Sequence, residues 1–195
     1  MATTTAMPIT RQSIAAPHSR RPEMGEIKNT MKEALDTVAG MAGKMSAAAT
    51  TSADSFVESA AIGDIYERTA AQIAMERASN FEVKAFAAKM LADHTTSTHQ
   101  LEAGLEMNET RGVAAPPMEP DARRTRMLDH LAQAPEESLD ATYLDQQVLA
   151  HEETATLMRN YARSGDNPQL VSFAEGTLPV VERHLAAAKD LRARI

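Results

Sequence analysis

Apolar positions along this chain recur with helical periodicity. From Met24 to about Ser46, Ile27, Met31, Leu35, Val38, Met41 and Met45 follow one another at intervals of four, four, three, three and four, the stripe of an amphipathic helix. Ala47–Asp54 (AAATTSAD) reads as a flexible joint, with Asp54 placed to N-cap the next element. A long helix is expected over about Ser55–Ala78, with Phe56, Ala60, Gly63, Glu67, Ala70 and Ala74 along one side. A second is expected over about Glu82–Asn108, with Val83, Phe86, Met90, Leu91, Leu101 and Leu105 on its apolar face. Ser79-Asn80 is short enough to make these two antiparallel neighbours.

Residues 109–137 form a longer connection broken by Gly112, Pro116, Pro117 and Pro120, with a short helix over Ala122–Gln133. A third long helix covers about Glu137–Arg163, with Leu144, Val148, His151, Leu157, Met158 and Tyr161 inward. A fourth covers about Asn167–Arg192 and carries Leu170, Phe173, Val180, Val181, His184 and Leu191. Pro179 inside it predicts a kink. The expected fold is all-α. Two hairpins joined by a long crossover give an antiparallel four-helix bundle of the ferritin-like connection type, preceded by an extra N-terminal amphipathic helix. The chain divides into a disordered tail (1–22), the amphipathic helix and joint (23–50) and the bundle (51–195).

Composition supports this division. Aromatics make up 4% of the chain and there are 12 Met, which favours helix over strand. With no Cys, disulfides, thiolate ligands and Cys nucleophiles are excluded. Residues 1–50 hold six Lys/Arg against four Asp/Glu, and residues 51–195 hold 14 against 23. So acidic a bundle is poorly suited to nucleic acid, because phosphate contacts need clustered cations. No apolar run approaches the roughly 20 residues of a membrane-spanning helix. Residues 1–22 do not read as a signal peptide, and no apolar stretch follows Arg20-Arg21. The expectation is a cytoplasmic protein that embeds in no membrane. The Met-rich helix, residues 24–45, reads as a docking face for a protein partner or a second copy.

Four polar residues interrupt the apolar stripes, one per long helix: Glu67, His94, His151 and His184. Each stands four or seven residues from apolar members of its own stripe. Counted from the hairpin turn, Glu67 and His94 differ in level by roughly 3 Å, and His151 and His184 by roughly 6 Å. A buried carboxylate is costly unless paired. These four either coordinate a divalent ion (zinc, iron, manganese or copper) or hydrogen-bond as a polar layer that specifies helix register. Asp93, Glu152 and Glu182 stand beside them as outer partners or additional ligands. Other motifs are negative. His151-Glu152 lacks the second His of a zincin helix, and no phosphate loop or nucleophile elbow is present. Arg123, Arg124 and Arg126 read as a solvated face.

Residues 55–191, about 70% of the chain, resemble an uncharacterised bacterial family of ferritin-like helical proteins described as domains of unknown function or as exported or outer-membrane proteins. Three stretches carry the resemblance. The first, SFVESAAIGDIYERTAAQIAMERASNFEVKAFAAKMLADHT, ends in a Met-x-x-Asp-His signature at Met90, Asp93 and His94. The second, LDATYLDQQVLAHEE, holds Tyr143 and His151, and the third, FAEGTLPVVERHLAAAKDL, holds Leu178, Pro179 and His184. The family's usual Phe-Asp is Leu139-Asp140 here; the resemblance implies an envelope location as the alternative to the cytoplasm, but the family's usual export signal is missing, which counts against it. The Glu-x-x-His motifs of di-iron ferritins are absent, since Glu182 and His184 are only two apart.

The residues favour a non-catalytic bundle with a buried Glu/His layer able to hold a metal, in a structural or stress-related role. No residue is assigned a catalytic role, because three His and one Glu would saturate a tetrahedral ion. Two alternatives stay open: a metal-dependent oxidase or related redox enzyme using the same four residues, and a partner-binding or self-associating protein acting through the Met-rich helix.

Overall fold

The computed structural model describes residues 24–195, and within its first turn the side chains of Met24, Glu26 and Ile27 are outside the description. The expected disordered tail, residues 1–22, therefore lies outside the described residues. These fold into six α-helices: α1 (Met24–Ala49), α2 (Ala53–Arg77), α3 (Phe81–Leu105), α4 (Ala122–Gln133), α5 (Glu136–Ser164) and α6 (Pro168–Ala193). A single 3-10 turn, Asn108–Thr110, follows α3. None of these helices is long and apolar enough to cross a membrane.

Local chemistry explains most helix starts. Asn80, Asp121 and Asn167 accept from the first backbone amides of α3, α4 and α6 through their side chains. Ser52, rather than the expected Asp54, caps α2, and Asp54 instead accepts from the backbone of Ala114 in the crossover. Pro168 sits in the first turn of α6, where its missing N–H costs nothing. The helix continues unbroken through Pro179, which is exposed along with Glu175, so the carbonyl that Pro179 leaves unbonded faces water.

α2 pairs with α3 and α5 with α6, and each hairpin packs on the other through α2–α5 and α3–α6. Two sets of bonds fix their directions. The Asp140 carboxylate, at the start of α5, accepts from Ser79 N, Ser79 Oγ and Asn80 N in the α2–α3 turn. At the other end, Asn167 Nδ2 donates to Glu109 O just beyond α3. Hence α3 and α5 run parallel, and the crossover returns along the length of the bundle. Arg77 anchors that crossover by donating to the carbonyls of Leu131, Ala132 and Ala134 at and just beyond the C-terminus of α4.

The core falls into two apolar clusters. One gathers Tyr66, Met90, Leu139, Tyr143, Leu144 and Leu191 with their neighbours. The other gathers Phe56, Leu101, Leu157, Tyr161 and Leu170, with Phe56 stacked on Tyr161 at 4.0 Å. On α3, α5 and α6 the histidines singled out by sequence fall between the two clusters, while on α2 Glu67 directly follows Tyr66 of the first cluster.

The first helix departs most from expectation. α1 lies on α5 and α4, but its Met31, Leu35, Val38, Met41 and Met45 stripe points to solvent. The docked face is small and polar: Asp36, Gly40, Gly43, Ala47 and Thr50. A Cβ on Gly40 would meet Leu149 Cδ2 at 3.1 Å, and one on Gly43 would collide with the Glu153 carboxylate. Asp36 carries the specificity. It accepts from His130 Nδ1 at 2.6 Å and from Gln146 Nε2 at 2.7 Å, and Gln146 Oε1 accepts from the buried Tyr66 hydroxyl.

Asp36→Ala removes the acceptor of two buried donors. The expected loss is about 2–4 kcal/mol, read as a lower urea midpoint at unchanged m-value.

Candidate metal centre

His94 on α3, His151 on α5 and His184 on α6 are all buried. Their ring centroids stand 5.6, 5.8 and 5.5 Å apart, a nearly equilateral triangle. One ring nitrogen of each lies within 4.8 Å of those of the other two. The pairing of the remaining nitrogens settles which ones point inward. His94 Nδ1–H donates to Asp64 Oδ1 at 2.7 Å. His151 Nδ1–H donates to the Gln147 carbonyl at 2.9 Å. His184 Nε2–H donates to Asp93 Oδ2 at 2.7 Å. A carbonyl or carboxylate only accepts, so in the neutral ring each bond fixes the tautomer and leaves a lone pair on the opposite nitrogen. Those opposite atoms are His94 Nε2, His151 Nε2 and His184 Nδ1, and all three are buried without a hydrogen-bond partner.

Glu67 stands outside this triangle. Its Oε2 accepts from Gln147 Nε2 at 2.6 Å, and its Oε1 lies 3.5 Å from His151 Nδ1, behind the ring rather than in front of it. Glu67 Oε1 itself has no hydrogen-bond partner. The structure thus brings together the three histidines and places the glutamate as an outer charge. His151 and His184, the less well matched pair in level, stand as close as the other two ring pairs, and Glu67 acts on His94 through its charge alone.

The surrounding charges set the protonation of the rings. Burial lowers His151 against the pull of Glu67. Burial and the neighbouring His151 lower His184 to about 4, against its bond to Asp93. For His94 burial acts downward too, but the Asp64 hydrogen bond and the Glu67, Asp64 and Asp93 charges outweigh it and raise the group. Asp93 is lowered despite burial because Lys89 and His184 both donate to its carboxylate.

Beside the triangle is a cavity of about 30 Å³ between His94, His184, Gly63, Thr154 and Met158, the size of one water molecule. An open cleft of about 480 Å³ between α3 and α6 shares Asp93, Ser97, Thr177, Val180 and His184 with it.

Of the outer partners expected from sequence, Asp93 is in place. Glu152 instead pairs with Lys44 and Lys189, and Glu182 with Arg159, all away from the rings. Two partners were not anticipated, Asp64 and Gln147. Asp64 had a signal, since it stands three residues before Glu67 on the same helix side. The arginine cluster is not a solvated face either. Arg123 forks onto Glu153, and Arg124 is buried, pairs with Glu153 and lies 4.7 Å over the Tyr66 ring. Arg126 alone of the three is exposed.

A family model described as a domain of unknown function, DUF4142, matches residues 38–191, which include all three histidines. The chain belongs to this family. No curated protein and no solved structure matches it.

The pKa directions give a signed pH dependence for the metal-free protein. His151 and His184 are depressed in the fold, so their contribution is complete above about pH 6.5, the unfolded value, and declines as the pH falls below it, for His184 down to about 4. His94 acts oppositely, and its contribution fades as the pH rises through its elevated value. The urea midpoint is expected to fall between pH 6.5 and 4.5, with a shallower fall in His184→Gln.

Proposed function

We propose that this protein is a ferritin-like bundle that binds one divalent metal ion through His94 Nε2, His151 Nε2 and His184 Nδ1, in a structural or stress-related rather than a catalytic role. The observation that carries the reading is the set of three buried, converging ring nitrogens without partners. A buried acceptor left unpaired costs about 1–3 kcal/mol, and three in one place is a repeated cost that one ion would remove. The other nitrogen of each ring is already held by an oxygen, the arrangement that orients imidazole ligands and raises their basicity. Asp64, Asp93 and Glu67 surround the rings with negative charge suited to a dication. Three imidazoles suit zinc or copper, with iron a weaker redox-active competitor and manganese the weakest binder.

The ferritin-like description is supported by the parallel course of α3 and α5 across a full-length crossover. The non-catalytic description is supported by size. Beyond the three rings there is room for about one water, whereas pockets for organic substrates are on the order of 300–1,000 Å³. A fourth position filled by water still differs from the saturated four-residue site expected from sequence. It keeps an oxidase reading in view, favoured by the α3–α6 cleft that shares Asp93 and His184 with the cavity.

Titration with Zn²⁺ should give one equivalent bound, and Co²⁺ should give the intense visible absorption of a four-coordinate nitrogen site. His94→Ala and His184→Ala each lower affinity at least ~100-fold, Asp93→Asn lowers it ~10–100-fold, and Glu67→Gln changes it less than ~10-fold. Binding that His94→Ala leaves unchanged would sink the assignment. Dioxygen consumption by the iron-loaded protein, lost in the same variants, would favour the oxidase.

A further inference from the structure

The stripe on α1 has no counterpart among the described residues. Met31, Leu35, Val38, Met41 and Met45 are each 62–76% exposed. They form one continuous line about 21 Å long at the rise of an α-helix. Exposure of that order on five such side chains leaves on the order of 600 Å² of apolar surface, at the upper limit of what a monomer carries. Leu35 and Val38 also line a groove of about 620 Å³ between α1 and α4, open alongside the stripe.

The spacing of the stripe identifies its occupant. Met31, Leu35, Val38, Met41 and Met45 are separated by four, three, three and four residues, an order that reads the same from either end. Laid antiparallel on itself about a two-fold axis at Val38, the stripe sets Met31 against Met45 of the copy, Leu35 against Met41, and Val38 against Val38. A two-fold contact requires such self-complementarity, in which residue i meets j and j meets i. Charge does not oppose it. From Ala34 to Gly43 the one charged residue is Asp36, which is turned inward onto His130 and Gln146. Lys32 and Lys44, which the axis brings level, are bonded to Gln133 and Glu152 of their own chain.

We infer that two copies of this chain pair through α1, antiparallel, about a two-fold axis at Val38. The pair buries about 1,200 Å² in total, the lower end of the range for stable interfaces. α1 rests on α5 through Gly40 at Leu149 and Gly43 at Glu153, whereas His151 of α5 faces His94 and His184, so each protomer carries its own triangle and the two proposals stand independently.

The test uses the full chain at micromolar concentration. Sedimentation equilibrium is expected to give the mass of a dimer, and Val38→Asp, which sets two carboxylates against each other on the axis, is expected to give a monomer. Its far-UV circular dichroism should match that of the wild type, since Val38 packs against nothing in its own core. Because the chain has no Cys, directed cross-linking reports the geometry. Val38→Cys should oxidise to a disulfide-linked dimer. Met31→Cys alone should not, with its two sulfurs about 21 Å apart, but it should link when mixed with Met45→Cys. A monomeric wild type, a dimer that survives Val38→Asp, or self-linking by Met31→Cys would each overturn the inference. So would a monomer that binds anionic phosphatidylserine vesicles through the same stripe, which would make the occupant a lipid surface.

Discussion

Three imidazoles face one another in the middle of an apolar core, and the rest of the bundle is arranged around what those rings require. A polar atom withdrawn from water needs a partner, and each ring has two such atoms. The outward nitrogens are served by Asp64, Asp93 and the Gln147 carbonyl, each on a helix already packed against the ring it serves or on the ring's own helix. The inward nitrogens are served only by whatever occupies the triangle. Apolar side chains fill the core on both sides of this layer, so no helix can slide by a turn without driving an imidazole into hydrocarbon. The histidines therefore disfavour a shift in register of α3, α5 or α6 whether or not an ion is bound.

The remainder of the structure meets the same constraint with different partners. α1 is fastened by Asp36, which satisfies His130 and Gln146 below it, while glycines at 40 and 43 bring its backbone close to α5. The crossover is fastened by Arg77 on the carbonyls at the end of α4, and the hairpin turn by Asp140. Each of these anchors is a single charged side chain that answers several backbone or side-chain groups at once. Apolar area supplies the bulk of the cohesion, and these few groups choose which arrangement that cohesion takes.

Much of the helix layout was legible because its signals are local. Periodicity, the short Ser79-Asn80 turn and the proline-rich crossover located every long helix, and Ala122–Gln133 came out with the observed bounds. What was not legible was azimuth. Periodicity shows that Met31, Leu35 and Val38 share a face, but not that the face is turned outward, because a stripe fitted to another molecule looks the same as one fitted to its own core. The same limit applied at the centre. Level along the helix paired Glu67 with His94, yet a rotation of α2 that no count of residues reveals sets Glu67 behind His151 and Asp64 behind His94. Arg124 was misjudged for a related reason: its neighbours Arg123 and Arg126 made the run look solvated, and only the aromatic face of Tyr66 and the Glu153 carboxylate, distant in sequence, explain its burial.

His94 belongs to the first hairpin, and His151 and His184 to the second. Anything gripped by all three is shared between two halves that the chain connects only through the crossover. The grip is thereby tied to time as well as to affinity. With about one water's volume beside the rings, an occupant has little room to exchange one nitrogen at a time. Its release would lead through the cleft between α3 and α6, which reaches Asp93 and His184, at a rate that depends on how far those helices fluctuate apart. The centre would then behave as a latch whose dwell time is set by the breathing of the bundle.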